Sequence, residues 1–219
     1  MVEIKNLLDL EHTIAAPLFE GKTYPWEVLD DIKAFILELG PTLPAEEFDN
    51  PYEGVWIAKD VSVFPSAYIG APCIIDHGAE IRHCAFIRGS AIVGKNAVVG
   101  NSCELKNVIL FDSVQTPHYN YVGDSVLGYK AHMGAGSITS NIKSDKTNVF
   151  VKDPEGTIET GRRKIGAILG DNVEVGCNSV LNPGTIVGRR SNIYPTSCVR
   201  GVIPADSIYK SQVEIVLKK

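Results

Sequence analysis

A six-residue register dominates this chain. Aliphatic residues fall at Ile57, Val63, Ile69, Ile75, Ile81, Ile87, Val93, Val99 and Leu105 without a miss, and the spacing returns at Leu169, Val175, Leu181, Val187, Ile193 and Val199. Four places beyond each member of the first run stand Val61, Ala67, Cys73, Ala79, Ala85, Ala91, Ala97, Cys103 and finally Ile109, so the second site is small through most of it. Ser179, Thr185, Ser191 and Ser197 hold that site in the second run. An amphipathic helix needs apolar spacings of three and four, and a half-buried strand alternates with period two, so neither accounts for a strict six. A parallel β-helix does: each hexad makes one short strand and a corner, the aliphatic side chain points inward, and the small residue lets the chain turn. Fifteen inward aliphatic groups, at roughly 1.5–3 kcal/mol each, give tens of kcal/mol of burial, opposed by chain entropy of similar size.

The repeat resembles that of the hexapeptide-repeat acyltransferases. The resemblance implies that three hexads form one triangular coil of about 18 residues, that the coils wind left-handed against the usual right-handed crossover rule, and that the protein is a homotrimer. The expected fold is mainly β, a left-handed parallel β-helix with a small helical N-terminal segment and a hairpin excursion.

With 44% hydrophobic residues among 219, there is ample material for a core. The balance of 21 basic against 26 acidic residues leaves a net charge of -5, so neither nucleic acid nor an anionic membrane is the expected partner. An anionic ligand must be held by a local cluster. The opening MVEIKNLLDLEHTIAAPLFEG breaks its apolar positions with charges, unlike a signal peptide, and no run approaches the roughly 18 apolar residues of a membrane helix. The expected location is the cytoplasm. Cys73, Cys84, Cys103, Cys177 and Cys198 form an odd set without C-x-x-C spacing, which argues for reduced structural thiols rather than a disulfide framework or a zinc ribbon.

Residues 1–50 read as a helical cap segment, 51–205 as the β-helix and 206–219 as a tail. In the cap, PWEVLDDIKAFILELG puts Pro25 in a first turn, Gly40 at a C-cap and Val28, Ile32, Phe35, Ile36 and Leu39 on one face, which predicts a helix and a surface for a protein partner. Between Thr139 and Leu169 the register is lost. In this excursion, about 142–164, NVFVKD and TIET flank Pro154, Glu155 and Gly156 as a β-hairpin. A long excursion inside a regular solenoid is more often functional than idle.

Arg88 and Lys106 each follow an inward aliphatic residue and lie one coil apart, so they stack on one face. Nothing nearby in sequence obviously neutralises them, and two cations on strands roughly 4.7–4.9 Å apart repel unless an anion bridges them. The column suits a phosphate; the plainer alternative is a pair of solvated surface charges. His118, in T-P-H-Y-N-Y-V-G-D, sits where the register slips. Its reference pKa of about 6.5 suits a general base, although many histidines are simply satisfied by nearby backbone.

The combined pattern R-x17-K-x11-H-x2-Y-x-G-D, carried by Arg88, Lys106, His118, Tyr121, Gly123 and Asp124, resembles the acetyltransferase half of bacterial bifunctional glucosamine-1-phosphate acetyltransferase/N-acetylglucosamine-1-phosphate uridyltransferase. G-A-G-S-I-T-S-N, from Gly134 to Asn141, is similar to that family's G-A-G-T-I-T-x-N. G-R-R-K-I-G-A-I-L-G-D-N-V, from Gly161 to Val173, more closely resembles the archaeal sugar-1-phosphate nucleotidylyltransferase/amino-sugar acetyltransferases. The similarity spans about residues 55 to 204. It implies that His118 is the general base, that Arg88 and Lys106 hold a sugar phosphate, and that Tyr121 contacts the sugar. It implies further that Asn141 positions the acetyl donor or the amine, and that the Ala135 backbone lies beside the thioester of acetyl-CoA, a co-substrate requiring no metal. Lys146 falls one residue short of the family's loop lysine. Cys177 and Pro195, again stacked, replace a serine and an alanine at the coenzyme edge. His132 replaces a substrate-contacting asparagine and Ile142 a tyrosine near the coenzyme, and His132 reads equally as a corner residue.

The reaction implied is acetyl transfer to an amino-sugar 1-phosphate, glucosamine 1-phosphate or galactosamine 1-phosphate, as in UDP-N-acetylglucosamine biosynthesis. The glycine-rich segment of a nucleotidylyltransferase is not found in the 50 residues before the repeat, so the expectation is a chain lacking that domain and its nucleotidylyl transfer. Other readings stay open: an acyltransferase for a nucleotide-linked amino sugar, a non-catalytic scaffold or regulatory subunit, and a γ-class carbonic anhydrase. The last lacks its paired histidines five apart, and His77 and His83, six apart, fall on different faces.

Overall fold

Short strands and tight corners follow one another as the hexad pattern requires. The computed structural model describes residues 1–153, 156–211 and 214–217, and its body is a left-handed parallel β-helix of about 8 turns. Each turn has three walls. The first stacks Cys73–Ile75, Ala91–Val93, the ends of Glu104–Leu110 and Tyr121–Leu127, Ala167–Leu169 and Thr185–Val187. The second stacks Glu80–Ile81, Val98–Asn101, Gln115–His118, His132–Met133, Glu174–Val175 and Asn192–Ile193. The third stacks Tyr68–Ile69, Phe86–Ile87, the starts of Glu104–Leu110 and Tyr121–Leu127, Ile138–Thr139, Val180–Leu181 and Cys198–Val199. Glu104–Leu110 and Tyr121–Leu127 run through the corner between the third and first walls. Many corners turn through a single residue in the left-handed region, where Asn and Asp are tolerated: Asn96 (φ 55), Asn107 (φ 55), Asp124 (φ 49) and Asn178 (φ 55).

From Ile69 onward the register's inward aliphatic residues are buried. Val63 is 43% exposed, because its strand belongs to the first turn and has a second-wall neighbour on one side only. The first run also ends one residue early. Val108, not Ile109, pairs with Ala91 and takes the small inward seat, while Ile109 pairs with Ile92 and points outward.

That outward direction is apolar all along the first wall. Ile74, Ile92, Ile109, Val126, Ile168 and Ile186 alternate with inward neighbours, yet every one is fully buried. Leu7, Leu8, Val28, Leu29, Ile32 and Ile36 of the N-terminal segment share one core with them. Polar ties fix the seam: Asn107 Nδ2 donates to the Leu29 carbonyl at 3.0 Å, Asp171 N–H to the Leu7 carbonyl at 3.0 Å, and the His12 ring stacks on Tyr129 at 3.6 Å.

The single helix expected from Pro25 to Leu39 is divided into a 3-10 turn, Pro25–Val28, and an α-helix, Ile32–Leu39. The Leu29 carbonyl is engaged by Asn107 of the β-helix instead of an N–H further along its own segment. Gly40 does follow the helix, and a Cβ there would lie 2.3 Å from the Trp56 ring, so close approach also requires glycine. Phe48–Tyr52 pairs antiparallel with Val55–Ala58, a hairpin that straddles the expected boundary at residue 50. The excursion carries the antiparallel pair Phe150–Asp153 and Gly156–Glu159; Pro154 and Glu155, assigned to its turn, lie outside the described residues. The tail forms another antiparallel pair, Ser207–Ser211 with Glu214–Leu217. Among the described residues no helix is long and apolar enough to cross a membrane.

Candidate functional site

Arg88 and Lys106 follow the paired residues Ile87 and Leu105, so they stack one turn apart at the corner between the third and first walls. Each has its own carboxylate, which corrects the expectation that nothing nearby neutralises them. Arg88 Nη1 lies 2.8 Å from Glu104 Oε1, and Lys106 Nζ lies 2.9 Å from Asp124 Oδ1. The Asp124 side chain is only 4% exposed, and besides Lys106 it accepts from Asn107 Nδ2 at 3.0 Å and Asn141 Nδ2 at 2.5 Å. Asn141 Nδ2 also donates to the Tyr121 hydroxyl at 3.2 Å. Lys106, Tyr121 and Asn141 thus gather around a buried carboxylate to which the sequence pattern assigned no role. The signal was present in the Gly123-Asp124 pair of the motif, but only the fold reveals what it holds. Burial, followed by the charges of Asp124 and Glu104, pushes the Tyr121 phenol above its ordinary pKa, so it stands as a neutral hydroxyl.

A cleft of about 710 Å³ opens on this corner. Arg88, Lys106 and Asp124 border it from the β-helix, Leu29, Asp30 and Lys33 from the N-terminal segment, and Gly161, Arg162, Arg163 and Lys164 from the returning limb of the excursion. Arg162 forms an ion pair with Asp30, tying that limb to the N-terminal segment. Sequence reasoning missed Lys33 altogether and used G-R-R-K only as a mark of resemblance.

His118 stands at the other end of the third wall. It is exposed, does not border the cleft, and is separated from the cation corner by one wall's width, roughly 15 Å of extended chain at about 3.3 Å per residue. Its backbone N–H donates to Asn120 Oδ1 at 3.2 Å. Asn120 is buried and donates to the carbonyls of Gly134 at 2.9 Å and Ser137 at 3.0 Å, so it holds the corner that presents the imidazole. The next turns stack on the same edge: Gly136 N–H donates to the His118 carbonyl at 3.0 Å, Asn178 N–H to Ala135 at 2.8 Å, and Thr196 N–H to Cys177 at 2.8 Å. His118, Ala135, Cys177 and Pro195 therefore form one column. Gly134 and Gly176 precede two of these positions, where a Cβ would meet the next turn's backbone at 2.7 Å and 2.4 Å.

Of the remaining candidates, His132 and Lys146 lie apart, while Ile142 follows Asn141 beside the cleft rim. His132 is on the second wall, its Nδ1 2.7 Å from Glu174 Oε2. Ile142 is 39% exposed at the start of the excursion and bridges to Lys164. Lys146 is exposed in a turn, with φ 57. His77 contacts Asp60 at 3.0 Å and Glu47 at 3.3 Å, whereas His83 packs on Phe64 at 4.4 Å, on a different corner.

Fold and site together define a left-handed hexapeptide-repeat β-helix with a cationic corner cleft. The chain belongs to the GMPPB C-terminal domain family, whose model matches residues 69–215. It is 36% identical over 120 residues to the bifunctional protein GlmU of Methanococcus maripaludis, a match covering 54% of this chain and 29% of the relative. It is 34% identical over 109 residues to the bifunctional sugar-1-phosphate nucleotidylyltransferase/acetyltransferase of Sulfurisphaera tokodaii, covering 50% and 27% respectively. These relatives carry the names of the two groups that the motifs resemble. The chain spans under a third of their length. Among solved structures, the polySia-specific acetyltransferase NeuO aligns with a TM-score of 0.44 and 14% identity, covering 76% of this chain and 88% of that one.

Proposed function

We propose that the chain is an acetyl-CoA-dependent N-acetyltransferase acting on an amino-sugar 1-phosphate, working as a cytoplasmic homotrimer. The observation that carries this reading is the layout of the third wall: stacked Arg88 and Lys106 at one end, Tyr121 along it and His118 at the other. Phosphate and amine sit on adjacent ring carbons of such an acceptor, so it is seated over Tyr121, with its phosphate toward the Arg88 guanidinium, which reaches along the wall to Glu104, and its amine toward His118. An ammonium has no lone pair, so the amine must be neutral to attack the thioester carbon. His118 takes its proton as the tetrahedral intermediate forms, and the thiol of coenzyme A leaves. The edge column supports a coenzyme running past Ala135, Cys177 and Pro195 with contacts mainly to backbone.

Both N–H groups of the Asn141 amide have partners in Asp124 and the Tyr121 hydroxyl. Asn141 therefore orients Tyr121, and backbone N–H groups stabilise the oxyanion. His132 and Lys146 lie away from this wall and enter the site only across a protomer interface, whereas Ile142 follows Asn141 and bridges to Lys164 at the cleft rim. The scheme uses no metal.

The test is release of free thiol from acetyl-CoA, screened over glucosamine 1-phosphate, galactosamine 1-phosphate and nucleotide-linked amino sugars. The expected result is release with an amino-sugar phosphate and none with the N-acetylated compound. No release with any acceptor would sink the enzymatic reading in favour of a binding scaffold.

A further inference from the structure

The cleft at the cation corner holds more positive charge than the β-helix itself supplies. Six cations border it, Lys33, Arg88, Lys106, Arg162, Arg163 and Lys164, against two carboxylates, Asp30 and Asp124, in a chain whose net charge is -5. Three of the cations are matched one to one: Arg88 by Glu104, Lys106 by Asp124 and Arg162 by Asp30. Lys33, Arg163 and Lys164 face no carboxylate in an ion pair among the described residues. All three are exposed on the rim, and all come from segments outside the regular coils, one from the N-terminal helix and two from the excursion. Mutual repulsion opposes gathering three unmatched cations around one concavity unless an anion shares them. Arg162 adds a guanidinium Nε that is buried without a hydrogen-bond partner.

A single phosphate is accounted for by Arg88 and Lys106. We infer that the cleft takes a diphosphate ester of a sugar, with Arg88 and Lys106 on one phosphate and Lys33, Arg163 and Lys164 on the other. This rests on the reading that Arg88 and Lys106 seat the phosphate next to the sugar, refines the acceptor of that reading from the bare 1-phosphate to its diphosphate ester, and makes the N-terminal segment and the excursion the parts that set acceptor class. The cleft volume of about 710 Å³ falls within the range of about 300–1,000 Å³ usual for small-molecule sites. The diphosphate could be joined to a nucleoside or to another alcohol, and the probes below separate the two.

Binding to the full chain is measured by calorimetry with inorganic phosphate, glucosamine 1-phosphate, inorganic pyrophosphate, UDP and GDP. The diphosphates should bind at least about tenfold tighter than the monophosphates. In the triple variant Lys33→Ala/Arg163→Ala/Lys164→Ala, all at exposed positions, that ratio should fall to about one. UDP or GDP binding tighter than pyrophosphate points to a nucleoside diphosphate, and equal binding to a diphosphate ester without base recognition. A ratio near one in the parent chain, no measurable binding of either class, or a triple variant that weakens both classes equally would overturn the inference. Arg88→Ala tests the underlying reading separately: undiminished monophosphate binding there would remove the phosphate seat, whatever the diphosphate ratio.

Discussion

The Lys106 ammonium lies 2.9 Å from Oδ1 of Asp124, a carboxylate whose side chain is 4% exposed and which also holds the amides of Asn107 and Asn141. Lys106 thus has a structural task besides any task toward a ligand. Its stacked neighbour does not, since Arg88 and Glu104 are 46% and 34% exposed. Breaking a buried pair strands a charge, whereas an exposed pair contributes little. Lys106→Met should lower unfolding stability by about 3 kcal/mol and Arg88→Met by clearly less, read from urea denaturation midpoints. Equal losses would mean that Asp124 is better solvated than its burial indicates.

His118 is exposed, and its hydrogen bonds among the described residues are made by its backbone, not its ring. His118→Ala should therefore leave the melting temperature unchanged within experimental error while reducing acetyl transfer by about 10²–10⁴. The measurement is thiol release under saturating acetyl-CoA. An unaltered rate would dismiss His118 as the proton acceptor.

The covered first wall gives a stability contrast. Ile92 points away from the β-helix axis yet is fully buried beneath the N-terminal segment, while Ile142 is 39% exposed. Truncation to alanine should cost about 2–5 kcal/mol at Ile92 and about 0.5 kcal/mol or less at Ile142. A small loss at Ile92 would show that the segment lies loosely on the wall.

His77 supplies a pH dependence. Burial opposes its charged form, but hydrogen bonds to Asp60 and Glu47 and the charges of Asp60 and Asp76 outweigh it, so its pKa is raised above 6.5. A raised histidine pKa contributes stability that is fully present below about pH 6.5 and is lost as pH rises through the folded-state value. An NMR titration of the His77 ring should give a midpoint above 6.5. Between pH 6 and pH 8, roughly the span that brackets this transition, the parent chain should lose more thermal stability than His77→Gln. Parallel losses would show that the contacts with Asp60 and Glu47 do not persist in solution.

The β-helix was legible because its physical requirement is written at every sixth residue, and the Arg88–Lys106 stack followed from one coil of spacing. The excursion's hairpin was legible from its two β-prone runs. What escaped depended on contacts between residues far apart in sequence: Glu104 beside Arg88, Asp124 among Lys106 and Asn141, Lys33 and Arg162 across one cleft. The break in the helix after Val28 escaped for the same reason, since Asn107 engages the Leu29 carbonyl from another part of the fold. The shift at Ile109 escaped because both Val108 and Ile109 are apolar, so the pattern could not say which of them faced inward.

The excursion interrupts the chain without interrupting the ladders. His132 pairs with Glu174 and Thr139 with Leu181, in the same parallel register that joins neighbouring turns elsewhere. The residues that shape the cleft's roof and those that keep the walls zipped are consequently separate inheritances. A descendant could exchange one roof for another, altering what the corner admits, while its spine went on folding from the same instructions.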